Sequence, residues 1–468
     1  MKYVSTRGLA PKLGFNDVLL AGLARDGGLY VPETWPRFSK SDIRNLRGLA
    51  YAEVAAQVMT PFVGRAIRRD DLTAMVVDAY RGFDHPAVAP LRQIGRDQWL
   101  MDLTRGPTLA FKDYALQLLG RLFEHVLKER DQRIVIVGAT SGDTGSAAIE
   151  ACRDRKGIEI FMLHPKGRVS EVQRRQMTTV LSKNVHNIAV DGTFDDCQDL
   201  VKAMFNDLKF RDRHRLSAVN SINWARIMAQ VAYYFAGAVA LGAPDRHLTF
   251  AVPTGNFGNV YAAYASKRMG LPIERLVIGS NANDILTRYF ETGTMSLAEV
   301  VPTLSPSMDI QISSNFERLL FEVCGRKGPA VAKALGMLRQ AGTVDFGRAR
   351  WQALARLFAA HRLDDAETKA VIAGMHKLTG ELLDPHTAIG VAAGIRHHDY
   401  KSSAMIALAT AHPAKFPNAV EAATGIHPAL PPRLANLFER EERCHILPND
   451  AGALKDYIDG RMGKRDAA

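Results

Sequence analysis

Short apolar runs rich in β-branched residues alternate with longer amphipathic stretches over most of the chain. The runs have the length of strands, and the stretches between them repeat their apolar positions with the period of a helix. The predicted strands are Arg133–Thr140, Ile158–Pro165, Val185–Val190, Leu248–Thr254, Leu276–Asn281 and Ala404–His412. The predicted helices between them include Asp143–Arg155, Phe194–Lys209, Trp224–Leu241 and Asn259–Met269. Strands this apolar are buried on both faces and usually parallel, so the pattern predicts an α/β protein of layered, mostly parallel sheets with flanking helices.

Three regions of the chain depart from this alternation. Residues 1–95 are predicted to form a mostly helical N-terminal domain around the Gly-rich stretch Asp26–Pro32, and residues 96–468 a catalytic region. Residues 343–380 are predicted to be predominantly helical, with a return to strand near Leu382, and Thr292–Asp309 is predicted to be a surface loop or lid.

Composition places the chain among soluble globular proteins, since 47% of its 468 residues are hydrophobic and 23% are charged. No apolar run is long enough to cross a bilayer, and the N-terminus has no apolar signal core. The cysteines Cys152, Cys197, Cys324 and Cys444 lie far apart without CxxC spacing, which argues against a zinc site and against a disulfide framework. We expect a cytoplasmic protein without a metal.

The formal charge of +11 narrows the choice of ligand. The basic residues are spread along the chain rather than gathered in an arm, and no aromatic RNA-binding motif or zinc-finger spacing accompanies them. We therefore expect no nucleic-acid partner and no membrane partner, and a small anionic substrate is the better use of the positive charge. The pattern leaves a monomer and a homodimer equally open.

A lysine stands where a predicted loop meets a predicted helix, in Gly106–Asp113 (GPTLAFKD). Burial lowers the pKa of a lysine because the ammonium loses hydration, and the neutral amine is the nucleophile toward an aldehyde. Apolar and aromatic neighbours could provide that burial for Lys112. Taken alone, the segment favours a surface lysine paired with Asp113.

The segment Ala139–Ala148 (ATSGDTGSAA) follows a predicted strand and opens a predicted helix. Hydroxyls and unpaired amides at a helix N-terminus can bind a carboxylate or a phosphate. An ordinary cap also uses Ser or Thr, but this segment carries more hydroxyls and glycines than one cap requires. The segment therefore favours a ligand site.

Two further segments lie at predicted strand ends. In Pro253–Asn259 (PTGNFGN), glycines let the backbone approach an anion closely, although the pattern is neither a dinucleotide motif nor a P-loop. Asn-Gly turns are also common for structural reasons alone. The segment Ala409–Phe416 (ATAHPAKF) ends a very apolar strand, and ligands in open α/β sheets bind at such ends.

Together and in this order, the four segments resemble threonine synthase, a family of pyridoxal-5'-phosphate (PLP) enzymes of fold type II, the tryptophan-synthase-like group. The segments Ser5–Gly8, Asp26–Pro32, Asp191–Gln198 and Asn220–Arg226 are similar to that family as well. The likeness runs from the first residues to about position 425. It implies a PLP-dependent carbon–oxygen lyase of amino-acid biosynthesis, with a smaller mobile α/β lobe inserted at about residues 130–215.

The resemblance also implies roles for single residues. Lys112 would carry PLP as a Schiff base and shuttle protons, and Thr410 would face the pyridine nitrogen. The cofactor phosphate would be cradled by Gly255, Asn256, Phe257, Gly258 and Asn259. The substrate carboxylate would be held by Thr140, Ser141 and Thr144. Asp143 falls where many relatives outside the family place an asparagine near the phenolic oxygen of the cofactor, and its role stays open.

In the reaction that the family catalyses, O-phospho-L-homoserine loses phosphate from Cγ and water adds at Cβ, which gives L-threonine and phosphate. The substrate therefore needs a second anion site. The candidates are Asn223, Arg226 and Lys415, polar or basic residues beside family-like segments. The alternative for Arg226 is a solvated or ion-paired arginine on its helix.

Two rival functions remain open from the sequence. One is another PLP enzyme of the same fold, such as a serine or threonine dehydratase or a β-replacement lyase. A threonine hydroxyl near the ring nitrogen suits elimination and replacement in general, since it supplies less negative charge than a carboxylate. The other is a non-catalytic binding protein on the same scaffold, against which the retention of Lys112 and both Gly-rich loops argues.

Overall fold

The structure is a computed structural model that describes residues 1–466, with side chains through residue 463. The strands are β1 (Lys2–Ser5), β2 (Leu13–Gly14), β3 (Tyr30–Pro32), β4 (Leu91–Gly95), β5 (Gln98–Asp102), β6 (Ile134–Ala139), β7 (Ile158–Pro165), β8 (Val185–Asp191), β9 (Leu216–Ser217), β10 (Leu248–Pro253), β11 (Ile273–Ser280), β12 (Thr294–Ser296), β13 (Thr343–Asp345), β14 (Phe358–Arg362), β15 (Ala404–Ala409) and β16 (His445–Pro448). The helices are α1 (Phe15–Ala21), α2 (Lys40–Arg44), α3 (Tyr51–Val63), α4 (Arg69–Tyr80), α5 (Lys112–Glu129), α6 (Asp143–Cys152), α7 (Glu171–Thr178), α8 (Phe194–Asn206), α9 (Leu208–His214), α10 (Trp224–Ala240), α11 (Gly258–Met269), α12 (Ile285–Thr292), α13 (Phe316–Val323), α14 (Gly328–Ala341), α15 (Arg348–Ala355), α16 (Asp365–Thr379), α17 (Pro385–His397), α18 (Pro417–Thr424) and α19 (Ala451–Asp466).

The chain forms two compact units. The first unit joins Met1–Ala115 to Ser221–Ala429, and the second joins Leu116–Asn220 to the chain from Leu430 onward. The lobe predicted at about residues 130–215 falls within the sequence of the second unit. The boundary predicted near residue 95 and the mobility of the lobe stay predictions.

The first unit is built on a six-stranded sheet in the order β14-β11-β10-β15-β5-β4. Its strands are parallel except for β4, which pairs with β5 in the antiparallel sense. Apolar side chains of the central strands, such as Ala251, Val277 and Met405, pack with Ala388 and Val391 of α17 into one buried cluster. A small antiparallel sheet, β2-β1-β3, belongs to the same unit.

The second unit is built on a five-stranded parallel sheet in the order β16-β8-β7-β6-β9. Its buried cluster combines Val135, Phe161 and Ile188 with Leu454 and Ile458. The last two residues lie on α19, so the C-terminal part of the chain supplies both an edge strand and a packed helix. The strand β16 and the helix α19 were not among the predicted elements.

The predicted fold of layered, mostly parallel sheets with flanking helices is confirmed. The expected strand near Leu382 is wrong, because Asp384 caps a helix that starts at Pro385. Two short strands, β13 and β14, lie within the region that was predicted to be predominantly helical. The predicted loop Thr292–Asp309 contains β12, and within it Ser305 and Met308 are buried rather than exposed.

No helix within residues 1–466 combines the length and the apolar character needed to cross a membrane.

Candidate active site

Lys112 is the first residue of α5 and lies close to the carboxyl end of β15 in the first unit. The amide of Phe111 donates to the carbonyl of Thr410 at 2.9 Å, and the amide of His412 donates to the carbonyl of Leu109 at 3.0 Å. These two bonds hold the segment before α5 against the carboxyl end of the strand. The side chain of Lys112 is only 9% exposed, and its Nζ lies 3.3 Å from Oγ of Ser307. The lysine is therefore sheltered at the sheet edge where α/β proteins bind ligands.

The carboxylate of the next residue, Asp113, is hydrogen-bonded to Thr108. It is fully buried and accepts from the amide of Thr108 at 2.8 Å and from its hydroxyl at 2.6 Å. Burial raises the pKa of Asp113 to about 6, while these hydrogen bonds and the charge of Lys415 act in the lowering direction. Lys415 is itself fully buried and donates from Nζ to the carbonyl of Thr108 at 2.7 Å. The sequence alternative of a surface Lys112 paired with Asp113 is thus wrong.

The glycine loop at Gly255–Asn259 connects β10 to α11. Thr254 and Asn259 brace it, since the Thr254 hydroxyl donates to Oδ1 of Asn259 at 2.7 Å and accepts from the amide of Phe257 at 3.1 Å. Phe257 has a left-handed backbone, with φ of 62°. A Cβ placed on Gly255 would lie 2.9 Å from the carbonyl oxygen of Ser307, so no larger residue fits without a shift.

Four amides of this loop are available to a ligand. Within the part of the chain that the structure describes, the amides of Gly255, Asn256, Gly258 and Asn259 donate to no acceptor. Two of them belong to the first turn of α11, where backbone amides have no partner inside the helix. Such a cluster at a helix N-terminus is suited to a phosphate.

Thr410 is 5% exposed and follows β15 directly. Its amide donates to the hydroxyl of Thr387 at 3.1 Å, and its own hydroxyl bonds to none of the described residues. A buried hydroxyl is rarely left without a partner. The Thr410 hydroxyl is therefore suited to a ligand atom such as a ring nitrogen.

The hydroxyl-rich loop opens α6 in the second unit. The hydroxyl of Thr140 accepts from the amides of Gly142 at 3.0 Å and Gly145 at 2.8 Å, so it braces the loop as a cap would. The hydroxyls of Ser141 and Thr144 bond to none of the described residues and are the better ligand candidates. Asp143 is 4% exposed and accepts from Nε2 of Gln173 at 2.8 Å.

The remaining predicted substrate residues lie at the start of α10 in the first unit. Asn223 caps this helix, accepting from the amide of Ala225 at 3.0 Å and donating to the carbonyl of Leu19 at 2.9 Å. Both ends of its amide are thus engaged. Arg226 is 3% exposed, and burial lowers the pKa of its guanidinium to about 10. It is therefore not the solvated arginine of the alternative interpretation.

Sequence reasoning missed Ser307 and the N-terminus of α17. The amide of Ser307 donates to Nε2 of His386 at 3.3 Å, and Nδ1 of His386 lies 2.8 Å from Oδ1 of Asp384. The hydroxyl of Thr387 donates to the other oxygen of Asp384. An Asp followed by Pro is a helix-start signal, so the N-cap at least could have been predicted.

The residues present fit PLP. A sheltered lysine suits its aldehyde, four unpaired amides suit its phosphate, and an unpaired hydroxyl suits its ring nitrogen. Ser307 links the first two sites, since its hydroxyl contacts Lys112 and its carbonyl lies against Gly255. Among the described residues, no three His, Cys, Asp or Glu side chains gather where they could hold a metal ion.

Comparison with family models agrees with this chemistry. Residues 84–341, more than half of the 468-residue chain, match the pyridoxal-phosphate dependent enzyme family, so the chain is a PLP-dependent enzyme. Residues 2–80 match the threonine synthase N terminus, and residues 387–458 match the C-terminal model of threonine synthase. The chain belongs to the threonine synthase family.

Individual relatives agree over their whole lengths. The chain is 54% identical to the threonine synthase of Pseudomonas aeruginosa, across 99% of this chain and 100% of the relative. It is 40% identical to the threonine synthase of Schizosaccharomyces pombe, across 100% of this chain and 99% of the relative. The crystal structure of PLP-bound threonine synthase from Brucella melitensis superposes with a TM-score of 0.97 at 53% identity, covering 98% of this chain and 99% of that chain.

Proposed function

We propose that this chain converts O-phospho-L-homoserine and water to L-threonine and phosphate. The observation that carries the proposal is the arrangement around Ser307. One residue contacts both Nζ of Lys112, at 3.3 Å, and the glycine loop with its unpaired amides. Membership of the threonine synthase family supports the choice of reaction.

Lys112 is proposed to bind the cofactor and to move protons. When bound, PLP supplies an aldehyde that bonds covalently to amines and a conjugated ring that withdraws electrons from Cα. The overall reaction removes protons from Cα and Cβ, breaks the Cγ–O bond, delivers a proton to Cγ, adds the oxygen of water at Cβ and returns a proton to Cα. A positioned amine can act as base in one of these transfers and as acid in another.

The glycine loop and Thr410 are proposed to hold the cofactor. The amides of Gly255, Asn256, Gly258 and Asn259 would donate to the phosphate, and Phe257 would shape the turn with its left-handed backbone. The hydroxyl of Thr410 would face the ring nitrogen.

Substrate binding is proposed for the remaining predicted residues. In the second unit, the hydroxyls of Ser141 and Thr144 at the start of α6 would bind a carboxylate, with Thr140 bracing the loop. The role of Asp143, which lies in the same loop, stays open. In the first unit, the candidates for the substrate phosphate are Asn223, Arg226 and Lys415, and the planar guanidinium of buried Arg226 is best suited to bidentate binding of a phosphate.

The proposal also covers the cellular location, the oligomeric state and the partners of the enzyme. A cytoplasmic location is supported by the four cysteines, which form no disulfide. We propose a monomer or homodimer that acts on a small anionic amino acid, without a nucleic-acid or membrane partner.

The test is product formation by the purified holoenzyme. O-phospho-L-homoserine should yield phosphate and L-threonine in equal amounts. A dehydratase would instead form a keto acid from threonine, and a binding protein would form neither product. Keto acid without L-threonine would overturn the proposal.

A further inference from the structure

Ser307 is held firmly between the lysine and the glycine loop. It lies in a single 3-10 turn, Pro306–Met308, and Asp309 directly follows this turn. Asp309 accepts from the amide of Thr303 at 3.0 Å and from Nδ2 of Asn281 at 2.7 Å. The hydroxyl of Ser307 therefore meets Lys112 from a fixed position.

The side chain of His386 holds the same turn through a hydrogen bond to the backbone of Ser307. Its Nε2 accepts from the amide of Ser307 at 3.3 Å, and a backbone amide can only donate. Nε2 must then carry a lone pair, so the ring proton is on Nδ1 and donates to Asp384 at 2.8 Å. Both side chains are buried, with exposures of 4% for His386 and 0% for Asp384. The hydrogen bonds thus assign one tautomer to the histidine.

The carboxylate of Asp384 serves both proposed cofactor contacts. One oxygen holds His386, which holds Ser307 and through it Lys112. The other oxygen accepts from the hydroxyl of Thr387, which accepts in turn from the amide of Thr410 at 3.1 Å. One buried carboxylate therefore has a hydrogen-bonded route to each of these two residues.

We propose that Ser307, His386 and Asp384 form a positioning unit that sets the direction of Nζ of Lys112. This inference rests on the proposed function of Lys112, because the three residues act on the reaction only by orienting that lysine. A hydroxyl can direct the amine without fixing its charge, whereas a carboxylate in the same place would favour the ammonium form. Asp113, the acidic residue that is nearest to Lys112 in the sequence, accepts hydrogen bonds from Thr108.

The first test removes the hydroxyl of Ser307 but keeps its amide. Ser307→Ala should lower kcat about tenfold, since a hydrogen bond to an ionisable amine is lost, and should leave KM for O-phospho-L-homoserine within about twofold. The visible absorbance of the bound cofactor should shift, and Ser307→Thr should restore both properties. Ser296→Ala, which removes a hydroxyl on β12 that meets Thr343, is the control and should match the wild type.

The second test separates the two bonds of His386. Glutamine places an acceptor near the position of Nε2 and keeps the bond to Ser307, whereas asparagine places a donor near Nδ1 and keeps only the bond to Asp384. His386→Gln should retain the wild-type absorbance and kcat within about threefold, and His386→Asn should show the same loss as Ser307→Ala.

Each outcome bears on the positioning unit. Equal behaviour of the two folded His386 variants, or a Ser307→Ala enzyme identical to the wild type in absorbance and kcat, would overturn it. If neither His386 variant folds, the Ser307 pair decides the question. A wild-type protein that binds PLP but releases no phosphate would contradict the proposed function instead, and the absorbance comparison would still test the unit.

Discussion

Replacing Gly255 by alanine tests how closely the glycine loop must approach the turn that carries Ser307. The added methyl carbon would lie 2.9 Å from the carbonyl oxygen of Ser307 and 3.0 Å from Cα of Met308. Both atoms belong to the backbone, so neither can move away by changing a rotamer. Either the loop or the turn must shift, and the turn is tied to His386 and Lys112.

The size of the effect follows from the cost of overpacking. Inserting a methyl group into a well-packed site costs about 1–3 kcal/mol. If the shift is paid when PLP binds, the Kd of PLP should rise about 5- to 150-fold. If it is already present in the free protein, the melting temperature of the apoprotein should fall.

The assay is titration of the apoprotein with PLP, followed by visible absorbance, together with a thermal melt. The control is Gly336→Ala in α14, where a Cβ meets no atom within 4 Å. This control should leave the Kd of PLP unchanged and should keep or raise the melting temperature, because alanine is the better helix former. A Gly255→Ala protein with the Kd and melting temperature of the wild type would refute the reasoning.

Three further predictions concern other residues of the site. Burial raises the pKa of Asp113 from 3.8 to about 6, so its carboxyl stabilises the fold below about pH 4 and this contribution is lost as the pH rises through 6. The free energy of unfolding of the wild type, relative to Asp113→Asn and measured in urea, should therefore fall by up to about 3 kcal/mol between pH 4 and pH 7, and a constant difference would contradict this. Thr410→Val should leave the free energy of unfolding of the apoprotein within about 0.5 kcal/mol but weaken PLP binding, and unaltered PLP titration and absorbance would contradict the assigned contact. Arg226→Ala should raise KM for the phosphorylated substrate at least about tenfold with little change in cofactor absorbance, and an unchanged KM would reject its role.

The strands and the glycine loops could be predicted because their signals are local. The run Ile158–Pro165 is mostly apolar, with β-branched residues at Ile158 and Ile160, and the structure gives the strand the same bounds. The helix predicted from Asn259 onward begins one residue earlier, at Gly258, directly after Phe257 with its left-handed backbone. Short or mixed segments carried no such signal, as in β14, whose five residues include His361 and Arg362.

The contacts around Lys112 could not be predicted because they join distant parts of the chain. Ser307 follows the lysine by 195 positions, and His386 follows Ser307 by 79. The turn that carries Ser307 was predicted to be surface loop, since its Ser and Pro residues are typical of one. Only the folded sheet, which places the end of β15 beside both, brings these side chains together.

The most direct measurement of the central claim is peptide mass spectrometry of the holoenzyme after borohydride reduction. Reduction makes the bond between PLP and its lysine permanent, so the peptide that carries the pyridoxyl group identifies that lysine. We predict the group on Lys112, and its absence from Lys112→Ala. A pyridoxyl group on a different lysine of the wild-type protein, or none on a protein that binds PLP, would contradict the account.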